Sequence, residues 1–105
     1  MADLDQTFAA LSDTTRRALV AQLAEGEAPL SDLAAPFDMS LTAVSKHIRV
    51  LSDAGLVAIE KRGRTRYCRL QAGPMKSAAD WLSDYQTFWD DQLESLGRHL
   101  REETK

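Results

Sequence analysis

The stretch from Ser40 to Gly55 constrains the fold more than any other. Leu41, Val44, Ile48 and Leu51 recur at three- and four-residue steps, the period of a helix with one apolar face. Ser40 stands where a helix N-cap belongs and Gly55 where a helix stops. Just upstream, a short helix is expected from about Ser31, as its cap, to Phe37, ending at Asp38-Met39. Two helices separated by only a few residues form a helix-turn-helix, and the rest of the chain has to pack around that pair.

Before it, Leu4, Phe8 and Leu11 suggest a short first helix. Asp13 can cap a second, whose Leu19, Val20 and Leu23 recur at helical spacing before Gly26 ends it. Beyond Gly55, Leu56 to Ile59 and Thr65 to Leu70 read as strands around the polar turn Lys61-Arg62-Gly63-Arg64, a β-hairpin with a basic tip. After Gly73-Pro74 a long helix is expected over about 74–102, with Ala78, Trp81, Leu82, Tyr85, Phe88, Trp89, Leu93, Leu96 and Leu100 along one stripe. The expected fold is mainly α with a small β-hairpin: four helices, the hairpin and a last helix, a winged helix-turn-helix in one domain over 1–105. A chain of 105 residues builds one small core, and this stripe is too long for it, so it is read first as a subunit interface.

The formal charge of −3 conceals a segregation. Residues 1–37 hold two basic and six acidic side chains, 38–70 hold seven basic and three acidic, and 71–105 hold four basic and seven acidic. The positive third carries both the second helix of the helix-turn-helix and the hairpin, so the charge that attracts phosphate coincides with the shape that enters a groove. Opposite the apolar stripe lie Thr42, Ser45, Lys46 and Arg49, all able to meet base edges or phosphates in a major groove. Arg49 suits the bidentate contact to guanine, the Thr42 methyl suits a thymine methyl, and Arg62, Arg64 and Arg66 around Gly63 suit the backbone or a neighbouring minor groove.

These residues resemble the ArsR-type winged-helix transcriptional repressors. The likeness rests on Leu11-Ser12-Asp13-Thr14-Thr15-Arg16-Arg17, on Ser40 through Leu51 with its Ser45-Lys46-His47-Ile48, on Ala54-Gly55-Leu56-Val57, and on Arg62-Gly63-Arg64-Thr65-Arg66-Tyr67. It implies a homodimer formed through the first and last helices, with Leu4, Phe8, Trp81, Tyr85, Phe88, Trp89, Leu93 and Leu96 at the interface. It also implies one recognition helix per subunit, over 40–54, in successive major grooves of a palindromic operator, with the wing over 61–66 on the backbone or minor groove. Double-stranded DNA is the expected partner, contacted by Ser40, Thr42, Ala43, Ser45, Lys46, His47, Arg49, Arg62, Arg64 and Arg66. Repression, rather than activation, is implied by the resemblance alone.

Departures from the pattern bear on sensing. Metal-responsive members carry a Cys-x-Cys where this chain has Pro29 and Ser31, and of a second family metal site only His99-x-x-Glu102 remains, so no metal or other cofactor is expected. Cys68, the single cysteine, excludes a disulfide framework within the chain and reads as an inert strand residue. No nucleophile set or phosphate-cradling glycine loop is present, which excludes the common enzyme signatures. The acidic amino terminus is followed by no long apolar stretch, so neither a secretory signal nor a membrane span is expected, and the cytoplasm is the expected home. The aromatic cluster of Trp81, Tyr85, Phe88 and Trp89 allows a second use, lining a site at the dimer interface for a hydrophobic effector. An alternative from another class is a protein-interaction module that keeps the winged-helix shape without reading DNA sequence.

Overall fold

A computed structural model describes residues 4–103, apart from the side chains of Thr87, Trp89 and 99–103. The order is α1 (Leu4–Ala10), α2 (Thr14–Leu23), β1 (Ala28–Pro29), α3 (Leu30–Ala34), α4 (Leu41–Asp53), β2 (Val57–Arg62), β3 (Thr65–Leu70), α5 (Ala72–Ser83) and α6 (Gln86–Glu103). Local chemistry explains the α2 and α4 boundaries. The Asp13 carboxylate accepts from the Arg16 amide at 3.0 Å and opens α2, and the Ser40 hydroxyl accepts from the Ala43 amide at 3.1 Å and opens α4. At the far end of α4, the Gly55 amide donates to Ser52 and the Leu56 amide to Leu51, both at 2.9 Å. That paired return requires the left-handed backbone of Gly55, whose φ is +79°. A side chain there would also meet Pro74.

The core forms where the helical stripes meet the sheet. Leu19, Leu33, Val44, Ile48, Leu51, Leu56 and Cys68 are fully buried, so α2, α3 and α4 share one apolar centre covered by β2 and β3. Each such aliphatic side chain contributes about 1.5–3 kcal/mol through burial. Three of the four expected stripe residues of α4 are in this core. Leu41 is not: it stands 53% exposed at the first position of the helix, before the stripe has turned inward.

Several expected boundaries are corrected. The hairpin gains a third strand, because Ala28 and Pro29 pair with Cys68 and Tyr67 at the free edge of β3, giving the order β1-β3-β2. A proline is tolerated on such an edge, where its missing N–H is not needed by a central ladder. The pairing draws Pro29 into extended backbone immediately before α3, so α3 starts at Leu30 with Pro29 as its N-cap and Ser31 lies inside the first turn. β2 and β3 pair from Val57↔Leu70 to Arg62↔Thr65, leaving a two-residue turn of Gly63 and Arg64. Gly63 has φ +63° and no other residue there has positive φ, the pattern of a type II′ turn.

The long final helix is in fact two. α5 begins at Ala72, with Gly73 and Pro74 in a first turn whose amides need no helical partner. It ends where the Ser83 hydroxyl bonds back to the Asp80 carbonyl at 2.8 Å and the Tyr85 amide bonds Leu82 at 3.0 Å, a tighter turn that interrupts the ladder before α6. α1 packs on α5, with the Phe8 and Trp81 rings edge-on at 5.8 Å and Trp81 and Tyr85 at 5.2 Å. α6 projects beyond this body. The radius of gyration is 18.5 Å, against about 13 Å for a compact chain of this size. Phe8, Trp81, Leu82, Tyr85, Phe88, Leu93 and Leu96 are exposed in the single chain, and Leu4 is half-buried. The expected interface side chain of Trp89 lies outside the described residues, as do those of His99 and Glu102. Among the described residues no helix is long and apolar enough to cross a membrane.

Candidate nucleic-acid interface

The stripe of Val44, Ile48 and Leu51 fixes how α4 is rotated, and burying it points positions 42, 45, 46 and 49 outward. The β2–β3 ribbon, the wing, rises beside that outward face. Between them lies a cleft of about 480 Å³ lined by Leu30, Ser31, Leu41, Thr42, Ser45, Lys46, Arg49, Arg64, Thr65 and Arg66. Among the described residues its wall holds four cations and no carboxylate. Lys46, Arg49, Arg64 and Arg66 make no ion pair among the described residues, so each is available to an anion.

Six of the residues singled out from the sequence therefore converge here: Thr42, Ser45, Lys46, Arg49, Arg64 and Arg66. The other four are placed differently. Ser40 is engaged in capping α4. Ala43 is half-buried. His47 turns toward the back of the helix, its Nδ1 3.3 Å from Arg16 Nη1 and 3.7 Å from the Asp13 carboxylate. Arg62 is absent from the cleft wall. It makes a bidentate pair with Glu27 at 2.6 and 3.0 Å, a further bond to Glu60 at 2.9 Å, and lies 4.6 Å from the centre of the Tyr67 ring.

Two polar groupings support the site from behind. Arg16 donates from Nε to the Ala10 carbonyl at 2.5 Å and from Nη2 to Ala9 at 3.2 Å, so one side chain ties the end of α1 to His47 on α4. Asp13 is held below the ordinary carboxylate value, first by its bond from the Arg16 backbone amide, with His47 and Arg16 adding to the effect. Around the wing, the Arg62 hydrogen bond and charge likewise hold Glu60 down. Burial pushes the Cys68 thiol up, which disfavours the reactive thiolate.

Sequence reasoning did not place Leu30, Ser31, Leu41 and Thr65 in the cleft. Ser31 and Thr65 add hydroxyls suited to phosphate, while Leu30 and Leu41 give the wall an apolar portion. The signal for Thr65 lay in its position beside the turn. For Ser31 and Leu30 it required the β1–β3 pairing, which local sequence does not announce.

Comparison with known proteins bears on the fold and the family. The helix-turn-helix domain family matches residues 11–60. The HTH-type transcriptional regulator Rv2034 of Mycobacterium tuberculosis is 38% identical over 89 residues, covering 85% of this chain and 80% of that protein. The transcriptional repressor SdpR of Bacillus subtilis is 26% identical over 90 residues, covering 86% of this chain and all of SdpR. Among solved structures, the ArsR family transcriptional regulator RHA00566 superposes with a TM-score of 0.76 at 40% identity, covering 86% of this chain and 97% of that one. The homodimeric winged helix-turn-helix DNA-binding domain of Mb0332 from Mycobacterium bovis gives 0.61 at 31% identity, covering 87% and 84%. The winged helix-turn-helix expected from the sequence is thus the fold that these relatives share, and the chain belongs to the ArsR family of helix-turn-helix transcriptional regulators.

Proposed function

We propose that this chain is a cytoplasmic homodimeric repressor that seats double-stranded DNA across the cleft between α4 and the wing. The observation that carries the reading is the cleft wall itself, with four cations, on the outward face of a firmly capped helix, the adjoining turn and β3, that pair with no carboxylate among the described residues. In this reading α4 enters a major groove, where Arg49 makes the base contact and Thr42, Ser45 and Lys46 meet bases or phosphates. Arg64 and Arg66 reach the flanking backbone or minor groove. The chain acts as a single domain, and its partner subunit covers the apolar side chains of α1, α5 and α6.

Dimerisation rests on those exposed apolar side chains and on the homodimeric relative, and repression on the relatives named as repressors. A regulator of this shape blocks transcription by occupying a promoter. A hydrophobic effector at the interface would require a cavity beside the aromatic cluster, and none of its described side chains lines the α4–wing cleft.

The test is selection of bound duplexes from a random pool by the purified protein. A two-fold symmetric sequence with half-sites about one helical turn apart supports a dimeric operator-binding regulator. Recovery of duplexes with no common motif refutes sequence reading and favours a module whose basic face serves another partner.

A further inference from the structure

The wing is a ribbon that lacks support along its outer half. β1 covers β3 only at Tyr67 and Cys68, so 61–66 stand as two strands with no third. Two-stranded ribbons of this kind are marginally stable in water. Their pairing nonetheless sorts the side chains: Glu60 and Tyr67 are direct partners, Arg62 lies two residues from Glu60, and these three share one face. Arg66, paired with Lys61, projects from the other and reaches the cleft. Thr65, the direct partner of Arg62, still meets the cleft beside the turn, but Arg62 itself does not line it. Both oxygens of Glu27 receive the terminal amines of Arg62, and Glu27 stands directly before β1, which leads into Leu30 and Ser31 of the cleft wall.

We propose that Arg62 is a positioning residue, clamped by Glu27 and Glu60 against Tyr67 to hold Arg64 and Arg66 toward α4, rather than a ligand of DNA itself. The inference rests on the DNA-binding reading above and assigns Glu27, an acidic residue outside the cleft, a part in it. The clamp is an exposed network, with the Arg62 side chain 46% accessible, so it contributes little to global stability. Its effect is local: a bidentate fork fixes direction as well as distance, which a lysine cannot reproduce.

The sign of one substitution separates positioning from plain electrostatics. Glu27→Gln removes a negative charge near the basic face and leaves Arg62 freer to meet phosphate, so attraction alone predicts tighter binding. The clamp predicts binding about five- to tenfold weaker, because the wing must be ordered at the moment of association. Fluorescence anisotropy on the strongest duplex from the selection measures this, with urea denaturation alongside. Arg62→Lys should weaken binding as much as Arg62→Ala, and Glu27→Gln with Arg62→Lys no more than either alone. All should unfold at nearly the wild-type urea midpoint. If Lys46→Ala weakens binding while Glu27→Gln binds as tightly as wild type or tighter, or Arg62→Lys retains wild-type affinity, the clamp is overturned and DNA reading stands. If neither wild type nor variants bind any duplex, both fall together.

Discussion

The salt dependence of DNA binding follows from a charge inventory of the cleft. Each subunit offers Lys46, Arg49, Arg64 and Arg66 without a carboxylate partner among the described residues, so a dimer offers twice that number. Every phosphate neutralised contributes about −0.9 to the slope of log K against log salt. If all of these cations meet phosphates the slope is about −7, and if Arg49 is spent on base edges in both subunits it is about −5. Between about 50 and 200 mM salt the affinity should then fall by about 10³–10⁴-fold. Lys46→Ala removes one contact per subunit and should reduce the slope by about 2. The overall charge of −3 does not cancel this. The molecule extends 67 Å along its longest axis, several times the screening length of about 10 Å at 0.1 M salt, so the local face decides. Anisotropy titrations over a series of salt concentrations measure the slope. A wild-type slope shallower than about −2, or one unchanged by Lys46→Ala, refutes the assignment of these cations to phosphate.

Three further outcomes follow from particular residues. Arg49→Ala should cost about 1–3 kcal/mol on the selected site and relax preference at one base per half-site, as read by repeating the selection with the variant. Leu93→Glu places a charge on an exposed apolar face of α6 and should shift sedimentation from dimer to monomer while leaving the helical circular dichroism of the fold in place. Asp13 titrates lower in the folded chain than its ordinary value of 3.8, so its contribution to stability is full above that value and is lost as pH falls through the folded one. Asp13→Asn keeps a capping side chain without the charge. The gap in urea midpoint between wild type and this variant should close in strong acid, as Asp13 takes up its proton.

What was legible in the sequence was local. Asp13 and Ser40 declared their helix starts, Gly55 its left-handed stop, and Val44, Ile48 and Leu51 the buried side of α4, because caps and periodicity depend on neighbours a few residues away. The clustering of positive charge between 38 and 70 likewise pointed to the face that carries the cleft. What was missed depends on distant partners. β1 consists of an alanine and a proline with poor strand preference, and it exists because β3 offers a free edge. The break after Ser83 has no glycine or proline to announce it. The cations differ for the same reason: Arg62 meets Glu27 across 35 positions and His47 meets Arg16 across 31, so their engagement was invisible in charge counts that treated every basic residue alike.

The central claim is that DNA lies between α4 and the wing, and backbone amide NMR of the labelled protein during titration with the selected duplex tests it most directly. The account predicts that the largest changes fall within 42–49 and 64–66, at the residues that face the cleft, with only small changes along the acidic outer surface of α6. Changes centred on α6 or on the α2–β1 loop, with 42–49 left unmoved, would contradict it.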